Sequence, residues 1–232
     1  MIERIPFEQS HMPFLVDGPH GTALFFSAKN RLGHWKAHFL DGSLPGPVRL
    51  RWNNGDRIGD ECCPTGWWDG SKWNISFIGR SKDSGICQLY RASGGPGSRM
   101  TVEKMMAADF GFVSKDAVCS GRKSEVAIDD RRFEVQGRAV VAVTYLQETD
   151  RVVLSVSEAG AGVHAVAWNP GTNEAWDILC AGQPVYKPTI LGGLMVHAIK
   201  RGENDYRLEE TGDFQFVASS LSIQEAIPCL GR

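Results

Sequence analysis

His11-Met12-Pro13-Phe14-Leu15-Val16-Asp17-Gly18, followed by Ala23-Leu24-Phe25-Phe26, is an apolar run, a turn carrying Gly or Asp and a second apolar run. The pattern recurs four times. Cys62-Cys63-Pro64-Thr65-Gly66-Trp67-Trp68-Asp69-Gly70 leads to Trp73-Asn74-Ile75-Ser76-Phe77-Ile78. Asp109-Phe110-Gly111-Phe112-Val113-Ser114-Lys115-Asp116 leads to Ala117-Val118-Cys119. Val143-Thr144-Tyr145-Leu146-Gln147-Glu148-Thr149-Asp150 leads to Val152-Val153-Leu154, and Tyr186-Lys187-Pro188-Thr189-Ile190-Leu191-Gly192-Gly193 leads to Leu194-Met195-Val196.

A strand, tight turn and strand repeated every ~30–50 residues is the period of one four-stranded propeller blade. The repeats start near residues 11, 62, 109, 143 and 185. They predict a single all-β domain over residues 1–232, a β-propeller of about five blades; a two-sheet β-sandwich is the alternative. Intervening segments fit. Ile86-Cys87-Gln88-Leu89-Tyr90-Arg91 alternates apolar and polar, as a half-buried strand does. His164 to Trp168 ends at Asn169-Pro170-Gly171, with Glu174 to Leu179 as its partner. The third unit is short enough to lack a strand. Two segments read as helical: Thr101 to Ala108, with Val102, Met105 and Met106 spaced for one face, and Ser222 to Glu225, a capping box. Open sheet edges invite aggregation, so the ring must close. Pairing of Glu3–Phe7 with the last blade, beside Phe214 to Ala218, is the expected closure.

With 232 residues, 42% apolar and 22% charged, the chain has the composition of an ordinary globular protein. A formal charge of -2 gives no overall field for nucleic acid, so no nucleic-acid partner is expected. The longest apolar stretch, Ala139 to Leu146, is far short of the ~20 residues that span a bilayer. Met1 to Pro6 lacks the apolar core of a signal peptide. Cytoplasmic synthesis is the expectation, and a virion part released by lysis fits equally.

Cys62, Cys63, Cys87, Cys119, Cys180 and Cys229 form no C-x-x-C pair. They read as reduced, mostly buried thiols, and no metal or other cofactor is expected. Neighbouring side chains in a strand point to opposite faces. This separates Cys62 from Cys63 and Trp67 from Trp68, and an outward Trp is a platform for a sugar ring. By the same alternation His34, Lys36 and His38 share one face. That face either holds an anion or sugar hydroxyls, or is simply solvated.

In a propeller the innermost strands start around one mouth of the central channel. Those positions carry Ser10 and His11, Asp60, Glu61 and Cys62, Asp109, Val143 and Thr144, and Tyr186 and Lys187. Such a ring suits a small polar ligand. It equally suits polar groups bonded to one another or to channel water.

This layout resembles the five-bladed propeller glycoside hydrolases of the arabinanase and fructosidase-like families. The resemblance implies a base Asp at the start of blade one, a second Asp on blade three and an acid Glu on blade four. Asp109 matches the blade-three position. Blade one offers His11, with Asp17 in the turn. Blade four offers Thr144, with Glu148 and Glu158 away from the strand start. The chain is also similar to small propeller proteins of bacteriophages and bacteria, which implies a tail or fibre component binding host glycans. The favoured expectation is therefore a non-catalytic binding or assembly module with a carbohydrate or protein partner, using His11, His34, His38, Trp67, Trp68, Tyr186 and Lys187. The alternative is a glycoside hydrolase or lyase using Asp109 with Asp60 or Glu61.

Overall fold

The computed structural model describes residues 10–53, 57–115, 117–146, 151–158, 162–180, 182–184, 189–191, 194–200, 206–210 and 214–226. The first sheet is β1 (Ser10–Gly18), β2 (Gly21–Lys29), β3 (Trp35–Leu40) and β4 (Val48–Arg49), paired in chain order. After β5 (Arg51–Trp52) comes the second sheet: β6 (Ile58–Trp68), β7 (Trp73–Ser81), β8 (Cys87–Gly94) and, after β9 (Arg99–Met100), β10 (Val102–Ala107). Short β5 and β9 pair in parallel and tie the link between the two sheets to the end of the second. The third sheet is β11 (Phe110–Val113), β12 (Val118–Arg122), β13 (Glu125–Ile128) and β14 (Arg131–Val135). The fourth is β15 (Ala139–Leu146), β16 (Arg151–Glu158), β17 (Gly162–Asn169), β18 (Glu174–Cys180) and β19 (Gln183–Pro184). The fifth is β20 (Thr189–Leu191), β21 (Leu194–Lys200) and β22 (Tyr206–Glu210), and the last strands are β23 (Phe214–Ala218) and β24 (Ile223–Glu225).

The first strands of the five sheets touch in cyclic order: β1 on β6, β6 on β11, β11 on β15, β15 on β20, and β20 on β1. Sheets standing around an axis by their first strands make a β-propeller. A two-sheet sandwich gives no such cycle. The cores confirm it, because each fills a seam between adjacent sheets. Phe14, Phe25 and Phe39 of the first sheet pack on Trp73, Ile75 and Phe77 of the second. Phe110 and Phe133 of the third pack with Leu154, Val166 and Trp168 of the fourth. Ile78 and Leu89 of the second meet Val113 of the third. Both faces of an inner sheet are thus buried, which explains runs such as Ala23–Ala28 that are apolar without strict alternation.

Three expectations are corrected. No α-helix occurs among the described residues. Val102–Ala107 is strand β10, and its register on β8 shifts between Lys104 and Met106. The extra residue of that bulge spaces Val102 and Met105 by three, which imitates a helical face. Residues 223–225 form β24 on the edge of β14 instead of a capped turn. The third sheet lacks nothing, with four strands of its own. Phe214–Ala218 pairs with β18 on the fourth sheet, not with the fifth. The chain end thus runs back around the rim, adding a strand first to the fourth sheet and then to the third. Each addition covers an edge that would otherwise offer free backbone groups. Glu3–Phe7 lies outside the described residues.

Candidate functional site

Strand β6 decides where the expected mouth carboxylates go. Its register on β7 shifts between Ile58 and Glu61 and again between Cys62 and Thr65. The second shift holds Cys63 at a φ of 50°, next to Pro64, which has no N–H to give to the ladder. Glu61 points into the seam with the first sheet, only 1% exposed. Its Oε1 accepts from Lys36 Nζ at 2.8 Å and its Oε2 from the Ala37 N–H at 3.1 Å. Lys36 Nζ also reaches the Ile58 and Gly59 carbonyls, and Ser27 Oγ donates to the Glu61 carbonyl. Asp60 accepts from the Trp35 N–H at 3.0 Å and lies 3.6 Å from His34 Nδ1. Both carboxylates therefore bind the second sheet to the first.

The His34–His38 face is split. Lys36 joins Glu61, while His38 is buried, stacks on Phe26 with centroids 5.4 Å apart and bonds through Nδ1 to the Lys36 carbonyl. Burial pushes its pKa below the usual imidazole value, against the opposing effect of that hydrogen bond. Asp109 is half-exposed at the start of the third sheet, 3.8 Å from Arg122 Nε. His11 lies on β1 opposite Ser27. Tyr186 and Lys187 lie outside the described residues. Thr144 is buried, and its Oγ1 has no hydrogen-bond partner among the described residues.

The thiols of Cys62 and Cys119 are pushed up chiefly by burial, which keeps them protonated. Cys62, Cys87 and Cys119 are free thiols. Among the described residues no three His, Cys, Asp or Glu side chains are placed to hold one metal ion. No helix among them is long and apolar enough to cross a membrane.

The two tryptophans separate as alternation requires. Trp67 packs toward the third sheet. Trp68 packs toward the first and meets Trp73 edge-on, centroids 5.6 Å apart. Both remain half-buried, and Trp68 lines a cleft of about 290 Å³ between the first and second sheets. Its walls are four turns: Pro19 and His20 after β1, Asp41 to Leu44 after β3, Ser71 and Lys72 after β6, and Gly94 to Gly97 after β8. All lie where β1 and β6 finish, at the end of the ring opposite the strand starts.

Two of these turns are fixed by their own side chains. Asp41 Oδ1 accepts from the Ser43 N–H at 2.9 Å and from Ser43 Oγ at 2.6 Å. Asp69 Oδ1 accepts from Ser71 N, Ser71 Oγ and Lys72 N, each at 2.9 Å. Asp69 Oδ2 accepts from Asn74 Nδ2 at 2.9 Å. Those bonds, Asn74's foremost, hold the Asp69 carboxyl well below the usual range. Gly42 packs so closely that a Cβ would lie 2.5 Å from the His20 carbonyl. Trp68 was legible as a platform. Its polar neighbours were not, because they come from separate turns, near residues 20, 42 and 71, with no shared motif.

The fold and this cleft define a β-propeller with an aromatic, polar-rimmed groove between two blades. No family model matches the chain, and the comparison with curated proteins found no match. Among solved structures it is similar to a GH43 beta-xylosidase/alpha-arabinofuranosidase from a compost microbial metagenome, determined with xylotriose in a calcium-free form. The TM-score is 0.52 and the identity 10%, over 91% of this chain and 94% of that one. The likeness is one of fold.

Proposed function

We propose that the protein is a non-catalytic carbohydrate-binding module whose ligand lies in the cleft between the first and second blades. The observation that carries this reading is the half-exposed Trp68 beside Asp41, Ser43, Ser71 and Lys72 in one pre-formed cleft. Sugar recognition needs an aromatic face for the C–H side of a pyranose and polar groups for its hydroxyls. Rigid turns lower the ordering cost of binding. A hydrolase would need two carboxyl groups roughly 5–9.5 Å apart around the ligand. Asp60 and Glu61 are instead engaged in the blade seam, which favours binding over hydrolysis.

Glycan-array binding of the purified protein tests the reading, with Trp68→Ala and Asp109→Asn alongside. Specific binding that falls at least ~10-fold in Trp68→Ala, equivalent to ~1.4 kcal/mol, and persists in Asp109→Asn supports it. Binding that strengthens in Asp109→Asn, with release of shortened glycan by the native protein, overturns it in favour of turnover at the mouth.

A further inference from the structure

We propose that Asp41 makes the cleft selective for neutral saccharides over acidic ones, an inference that rests on the carbohydrate reading of the same cleft. Asp41 is only 6% exposed, yet it lines the cleft. Its Oδ1 is committed to both donors of Ser43. No hydrogen bond to Oδ2 is found among the described residues, so one oxygen of an almost buried carboxylate is left for the occupant. Carboxylates only accept. The occupant must therefore present a donor, and a sugar hydroxyl lying beside a ring stacked on Trp68 supplies one. Oδ2 keeps contact with the solvent of the cleft, so a sugar hydroxyl that donates to it takes the place of water.

An anionic ring substituent meets this carboxylate at close range in a poorly solvated place, where repulsion is weakly screened. The basic side chains of the same cleft do not reverse that preference. Lys72 is exposed, and its ammonium is a strongly hydrated, flexible point charge. His20 is likewise exposed on its turn. The charge nearest the floor is negative.

The experiment measures affinities of the full chain by titration calorimetry. The probes are methyl glycosides of glucose, galactose, xylose and arabinose, with glucuronate and galacturonate as acidic counterparts. The native protein is expected to prefer the best neutral sugar over its uronate by at least ~10-fold, with the difference shrinking as salt rises. Asp41→Asn keeps an oxygen for Ser43 and turns an N–H₂ donor into the cleft, so the turn persists while the polarity reverses. Neutral-sugar affinity then falls roughly 10- to 100-fold, the usual worth of a hydrogen bond to a charged group, and the penalty on uronates disappears. A native preference for uronates overturns the inference without any variant. So does Asp41→Asn binding neutral sugars as tightly as the native chain while Trp68→Ala does not, a result that leaves the carbohydrate reading standing. Failure of every sugar to bind the native protein removes both.

Discussion

Lys36→Met tests the account of the blade seam most directly. The Lys36 and Glu61 side chains are 8% and 1% exposed, with Nζ and Oε1 2.8 Å apart. Removing the ammonium leaves Glu61 as a buried carboxylate whose remaining donor is the Ala37 N–H. Breaking a buried pair in this way costs about 3–5 kcal/mol, most of it the penalty of the orphaned charge. In a chain of this size each kcal/mol moves Tm by roughly 2–4 °C, so a fall of about 6–20 °C is expected. The double variant Lys36→Met with Glu61→Gln leaves no charge, and its amide oxygen still accepts from Ala37. It should recover at least half of the loss, a coupling well beyond the additivity of independent sites. Thermal melts by circular dichroism and urea titrations of the four proteins complete the cycle. A single-variant drop below about 3 °C, or losses that simply add in the double variant, would refute the assignment of Glu61 to the seam and return it to the list of candidate catalytic groups.

His38, buried with a lowered pKa, makes stability fall on acidification: the unfolded chain takes up the proton near pH ~6.5, before the folded one does. Stability is thus full above that pH and is lost below it, and His38→Gln should flatten the slope of urea midpoints between pH 7.5 and 5. At Gly66 a Cβ would lie 2.6 Å from Phe25 Cζ across the first seam, so Gly66→Ala should cost about 1–3 kcal/mol by overpacking, read as a lower urea midpoint. Ile223 is 4% exposed in the core of the third and fourth sheets, and Ile223→Ala should cost about 2–5 kcal/mol. Arg131→Ala, which breaks the half-exposed pair with Glu225 at the same strand, should barely move the melt, because exposed pairs contribute little.

The ring was legible because each blade announces its inner strand locally. Apolar runs ending in turns that carry Asp or Gly placed the starts near 11, 62, 109, 143 and 185, and the structure begins those strands at Ser10, Ile58, Phe110, Ala139 and Thr189. What failed was whatever depends on a one-residue offset or a distant partner. The bulge between Lys104 and Met106 changed a period of two into an apparent helical spacing. The return of β23 and β24 to the fourth and third sheets joins Phe214 to Cys180 and Ile223 to Val135, pairings that no local pattern encodes. Of the expected mouth residues, His11, Asp60 and Glu61 fall near the starts of β1 and β6, Val143 and Thr144 lie in the middle of β15, and Tyr186 and Lys187 lie outside the described residues. The direction of Glu61 was not legible, because the register shift between Ile58 and Glu61 sits ahead of the residue whose face it sets.

The contrast between the ring's two ends follows from this. A charged residue on an inner strand is held between two packed sheets, where burial is costly unless it is paired. Glu61 and Lys36 satisfy each other at the seam, and Asp60 takes the Trp35 N–H. A polar residue in a turn faces no such demand, since a local Asx turn meets its needs in part and leaves the rest outward. Asp69 spends one oxygen on its own turn and the other on Asn74 of β7, whereas Asp41 spends one. The carboxylate with a free oxygen is thus found where Trp68 also emerges. The chemistry of this chain is better sought between the turns of the first two blades than among the strand starts that first drew notice.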